Sequence, residues 1–170
     1  MQCYVDLWVN KILIISATKG NNLSLAKKIR NYVSMDNKII SLEDFEIPLY
    51  VPKTETINTD AVKSLSEIFI QSTGFIFCAP EYNGGSPPIL TNAITWLSVS
   101  TDNWRSTFVN KKAIIATHSG GAGFKFLTSF RSQLEHLGTI VYPRNIVVNK
   151  DKKFKDQSVK DILNEFEKLI

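Results

Sequence analysis

Apolar residues fall in this chain as short unbroken runs, separated by stretches in which they recur every three or four positions. The run Lys11 to Ile15 is mostly apolar and rich in isoleucine, as a strand buried on both faces requires. Gly74 to Ala79 and Lys111 to Thr117 read as strands too, and Asn37 to Leu42 and Thr139 to Tyr142 add two more. Between them the period changes. Leu23, Ala26, Ile29 and Val33 stand at helical spacing, as do Val62, Leu65, Ile68 and Phe69 within Asp60 to Gln71. Pro87 to Ser98 predicts a helix whose proline sits near the first turn, where a missing N–H costs nothing. Gly123 to Leu137 predicts another, stopped by Gly138. Val159 to Ile170 closes the chain with Ile162, Leu163, Phe166 and Leu169 on one face. Ser16 to Asn22 reads as a polar turn, and Phe45 to Thr56 and Val99 to Asn110 as loops.

Five strands alternating with five helices imply an α/β, doubly wound, three-layer sandwich, because parallel strands need crossover helices. The expected sheet is five-stranded and parallel, in the flavodoxin-like order 2-1-3-4-5 rather than the larger six-stranded Rossmann order. Residues 11–170 are expected to form this domain, with no repeats or linkers. Residues 1–10 read as an extension without clear period, and translation from Val9 at an alternative start codon is one explanation.

Composition narrows the function classes. Hydrophobic content of 44% and charged content of 21% are ordinary for a globular domain, so disorder does not dominate. The net charge of +4 is spread along the chain, which fits an anionic ligand better than a nucleic acid. The densest basic cluster, Lys150, Lys152, Lys153 and Lys155, includes Asp151 and reads as a solvated turn. Cys3 and Cys78 form neither a metal-ligand set nor a disulfide framework, and Cys78 reads as a small core residue. No apolar run is long enough to span a membrane, and Met1 to Asn10 lack the basic start and long apolar stretch expected of a secretion signal. A cytoplasmic location is expected.

Candidate chemistry gathers in three loops that follow strands one, three and four, where such a sheet binds ligands. In the first, Ser16, Thr18, Lys19, Asn21 and Asn22 open a helix, a setting that suits a phosphate and equally an ordinary N-cap. The loop lacks the glycine patterns of dinucleotide and nucleoside-triphosphate sites. The second, Pro80 to Pro88, combines stiffness with the freedom of Gly84 and Gly85. Its glycines can present N–H groups to a flat ring, with Tyr82 as a cover, or it is a structural turn before the helix. Glu81 reads as solvent-exposed or capping more readily than as a general acid. The third, Thr117 to Phe124, carries Ser119, Gly120 and Gly121, suited to a second phosphate or to the polar edge of a heterocycle. No Ser-His-acid set, catalytic residue or metal spacing emerges. A cofactor that brings its own chemistry resolves that lack.

These residues resemble the NADPH-dependent FMN reductase family. Pro80-Glu81-Tyr82-Asn83-Gly84-Gly85-Ser86-Pro87-Pro88, running into Leu90 to Trp96, is similar to that family's central signature without a gap. Ser119-Gly120-Gly121 and Ile47-Pro48-Leu49-Tyr50 resemble two further loops of it. The resemblance implies FMN bound without a covalent link: phosphate on the first loop, the ring against Pro80, Glu81, Tyr82, Asn83 and Gly84, and its pyrimidine edge at Ser119, Gly120 and Gly121. It also implies hydride transfer from NAD(P)H through FMN to a quinone, flavin, azo compound or metal ion, in a homodimer or homotetramer. Ser16, Ala17 and Lys19 depart from the family's usual Gly-Ser and arginine, and Thr91 and Thr95 from its usual lysine and aspartate. Two other readings stay open: a flavodoxin-type electron carrier, which a pI near 9.0 disfavours, and a flavin-binding module without turnover.

Overall fold

The computed structural model describes residues 12–52, 60–99 and 105–170. The expectations for Met1 to Asn10 and a start at Val9 lie outside the described residues, as do parts of two expected loops. Parallel strands β1 (Ile12–Ser16), β2 (Asn37–Ser41), β3 (Gly74–Cys78), β4 (Lys112–His118) and β5 (Ile140–Val141) stand in the order β2-β1-β3-β4-β5. The predicted flavodoxin-like α/β topology is therefore present.

Strand alternation divides the interior into two layers. Leu13, Ile15, Phe75, Phe77 and Ile115 point to one face of the sheet. There they meet α2 (Asp60–Gln71), α3 (Pro88–Val99) and α5 (Phe124–His136) through Leu65, Phe69, Ala93, Leu97 and Phe130. Ile14, Ile76 and Ile114, in register across three strands, point to the other face. They meet α1 (Asn21–Arg30) and α6 (Asp156–Glu167) through Ala26, Ile29, Leu163 and Phe166. Both faces being covered explains why β1 and β3 are buried at every position. Cys78 is a core residue as expected, and burial pushes its thiol up.

Three details differ from the sequence reading. The first helix ends at Arg30, and Val33 reaches the core from the turn that follows. A short helix α4 (Arg105–Phe108) lies within the predicted loop, burying Phe108. The fifth strand is broken. β5 pairs with the beginning of β4, and a separate β6 (Ile146–Val148) pairs with its end. Pro143 stands between the two pieces, and proline cannot donate to a ladder. The guanidinium of Arg131 on α5 spans the break, donating to the carbonyls of Val141 (3.2 Å) and Tyr142 (2.8 Å) and to Asn145 Oδ1 (3.2 Å).

Candidate functional site

The loops after β1, β3 and β4 meet at the carboxyl end of the sheet because these strands are adjacent and parallel. In the first loop Ser16 is buried, and its hydroxyl donates to the Thr18 carbonyl at 2.7 Å. Gly20, at φ +83, then turns the chain into α1 with open space on its side-chain side. The first bond of that helix runs from the Ser24 N–H to the Gly20 carbonyl at 2.9 Å. The N–H groups of Asn21, Asn22 and Leu23 therefore have no intrahelical partner, and they lie at the positive end of the helix dipole. Lys19 is exposed and pairs with Asp44 at 2.8 Å, whose hydrogen bond and charge hold the ammonium above its usual range. Asn22 enters with its backbone, since its carboxamide is occupied. Its Oδ1 accepts from the His118 N–H (2.9 Å), and its Nδ2 donates to the His118 carbonyl (3.0 Å). That pair fixes the start of α1 to the end of β4.

The second loop is a miniature hairpin. The N–H of Tyr82 donates to the Gly85 carbonyl (3.1 Å), and the N–H of Gly85 to the Tyr82 carbonyl (2.9 Å). Asn83 and Gly84 form its tip with φ of +50 and +74, the two positive values of a type I′ turn. The Asn-Gly pair is a turn signal that the sequence reading passed over. Among the described residues, no hydrogen bond engages the tip N–H groups of Asn83 and Gly84. The Tyr82 side chain is half exposed. A Cβ at Gly84 would lie 3.1 Å from Lys125 Cδ, so the Lys125 stem runs along the hairpin. The sequence offered no signal for that lysine, because it comes from the first turn of α5.

Glu81 joins the second loop to the third. Its N–H donates to Ser119 Oγ (2.8 Å), and its Oε2 accepts from the Phe126 N–H (3.0 Å) in the first turn of α5. The carboxylate is thus a helix cap placed from a distant loop. Ser119 is buried, and its hydroxyl also bonds Thr117 Oγ1 (2.8 Å). Gly120 and Gly121 are exposed with open space around them. Asn149, beyond β6, donates to the Gly121 carbonyl (3.1 Å) and steadies that loop from outside. Gly123 is required by geometry: at φ +66, a Cβ there would lie 2.8 Å from Thr117 Cγ2.

The predicted residues thus come together, with different duties. Asn22, Glu81 and Ser119 spend their side chains on holding the loops to one another, and Ser16 braces its own loop. What faces outward is largely backbone: the start of α1, the tip Asn83-Gly84, and Gly120-Gly121. Such a surface can hold a phosphate and the polar edge of a flat ring without offering an acid–base pair.

The profile of the NADPH-dependent FMN reductase family matches residues 10–153. No curated protein matches the chain significantly. Among solved structures the chain is similar to the flavoenzyme NAD(P)H:(acceptor) oxidoreductase FerB of Paracoccus denitrificans, at 17% identity and a TM-score of 0.78, over 95% of this chain and 97% of that one. An oxidoreductase from Corynebacterium diphtheriae is similar at 15% identity and a TM-score of 0.76, over 95% and 96%. An azoreductase from Bacillus anthracis is similar at 14% and 0.61, over 94% and 98%. At these identities the structures support the fold, and the profile match over most of the chain supports the family. On its sequence, its sheet order and its three converging loops, the chain belongs to the NADPH-dependent FMN reductase family.

Proposed function

We propose that this chain is an FMN-dependent oxidoreductase that passes hydride from NAD(P)H through bound FMN to a small acceptor. The observation that carries the reading is the convergence of backbone N–H groups from α1, the hairpin tip and Gly120-Gly121 at one end of the sheet. The FMN phosphate sits at the start of α1, with Thr18, Lys19 and Asn21 beside it and Ser16 and Asn22 supporting from beneath. The ring lies against Pro80 to Gly84 under Tyr82, with its polar edge at Ser119 to Gly121. The flavin, when bound, supplies the hydride chemistry, so the protein's task is to bind, orient and exclude water. That division fits the use of Glu81 as a cap.

The acceptor belongs to the class of quinones, flavins, azo compounds or metal ions, and the active form is a homodimer or homotetramer. Purified protein is expected to be yellow or to take up FMN, and its flavin absorbance is expected to bleach anaerobically with NADPH. Protein that takes up no FMN would defeat the proposal. Protein that binds FMN but leaves NADPH unoxidised with every acceptor would make it a carrier or a binding module.

A further inference from the structure

The hairpin tip and the first turn of α5 meet at a single lysine. Lys125 Cδ and Nζ stand 3.1 and 3.6 Å from the place that a Cβ on Gly84 would occupy. The aliphatic stem therefore lies along the tip, and the ammonium ends beside it. Gly84 makes the contact possible, because it has no side chain and its φ of +74 disfavours one.

The backbone that carries Lys125 belongs to the fixed part of the site. The next residue, Phe126, is fully buried, and Glu81 Oε2 accepts from its N–H at 3.0 Å. Gly123, two residues earlier, is packed against Thr117. The ammonium itself is unbalanced. Among the described residues Lys125 forms no ion pair. Glu81, the acid of the hairpin loop, spends its carboxylate on the Phe126 N–H. Lys19 of the first loop is the contrast, since it is paired with Asp44. The N–H groups of Asn83 and Gly84, free of hydrogen bonds, stand at the same corner. One ammonium and two free N–H groups thus gather there without a carboxylate to offset them.

We infer that Lys125 tunes the flavin electrostatically, its ammonium joining the N–H groups of Asn83 and Gly84 in favouring the reduced ring over the oxidised one. The inference rests on the proposed seat of FMN against Pro80 to Gly84. The oxidised ring is neutral. Hydride from NAD(P)H brings two electrons and one proton, so the ring gains one negative charge and the nicotinamide one positive charge. Fixed donors and a cation at the place where charge develops favour the charged state. When the hydride passes to the acceptor, the negative charge leaves with it. Neither transfer asks Lys125 for a proton, so its role is distinct from acid–base catalysis.

The test uses the full chain loaded with FMN. A dye-equilibrated reductive titration gives the midpoint potential of the bound flavin. Lys125→Met removes the charge and keeps a stem against Gly84, Lys125→Arg keeps the charge, and Lys19→Met removes a charge at the phosphate instead. Expected for Lys125→Met is a loss of affinity about tenfold greater for reduced than for oxidised FMN, the effect of one charge a few ångströms away in a partly hydrated site. For a two-electron couple that lowers the midpoint by about 30 mV. Lys125→Arg should keep the native potential. Lys19→Met should weaken both oxidation states alike and leave the potential where it is. A native potential in Lys125→Met with FMN bound would overturn the assignment and leave the oxidoreductase standing. An equal drop in Lys19→Met would overturn it too, by making the effect one of net charge. A chain that takes up no FMN in either state would sink the oxidoreductase reading, and the role of Lys125 with it.

Discussion

Glu81 sits in the centre of the candidate site yet faces away from chemistry. Its carboxylate accepts from the Phe126 N–H, and its own N–H is held by Ser119. Replacing it with alanine frees a donor in the first turn of α5 and loosens two loops together. The expected cost is about 0.5–2 kcal/mol, the range for a lost helix cap, read as a lower urea midpoint. NADPH oxidation should fall only as far as FMN affinity falls. A loss of two orders of magnitude at saturating FMN, with stability intact, would instead make Glu81 a general acid. The sequence made a capping role legible, because a glutamate in a loop has few other duties. It did not reveal which helix is capped, since Phe126 lies in another element. Asn22 shows the same limit. Its residue type fits a phosphate loop, but its side chain is consumed by a backbone 96 positions away.

At the level of elements, legibility followed apolar run length. β1 and β3 are buried at every position and β4 at all but its two ends, and each carries an apolar run in the sequence. β5 and β6 hold two and three residues, and Pro143 breaks the pattern between them. No local period survives in so short a strand; register comes from β4 and from Arg131. Arg131→Ala removes the donor shared by Val141, Tyr142 and Asn145, and the expected loss is about 1–3 kcal/mol, the cost of leaving such acceptors unpaired. Amide exchange should rise first at Ile146 to Val148 and at Ser119, whose N–H is held by the Val148 carbonyl, while β1 and β3 stay protected. Uniformly faster exchange across the sheet would mean that the break has no independent stability.

For the whole molecule, the sheet order decides where a ligand can sit. β1, β3 and β4 are neighbours, so three loops far apart in sequence close on one place, and α1 aims its free N–H groups into it. The phosphate and the ring should then contribute separately to stability, because different elements bind them. FMN at about a hundred times its dissociation constant stabilises the folded state by about 2.7 kcal/mol. For a chain of 170 residues, that raises the melting temperature by about 5–10 °C. Riboflavin carries the same ring without the phosphate. At equal concentration it should give a clearly smaller shift, because the start of α1 and Lys19 lose their ligand. Substituting Lys19 by methionine should narrow the gap between FMN and riboflavin, while leaving the riboflavin shift unchanged. Equal shifts for both flavins would move the phosphate off α1, and with it the link between this sheet order and the site.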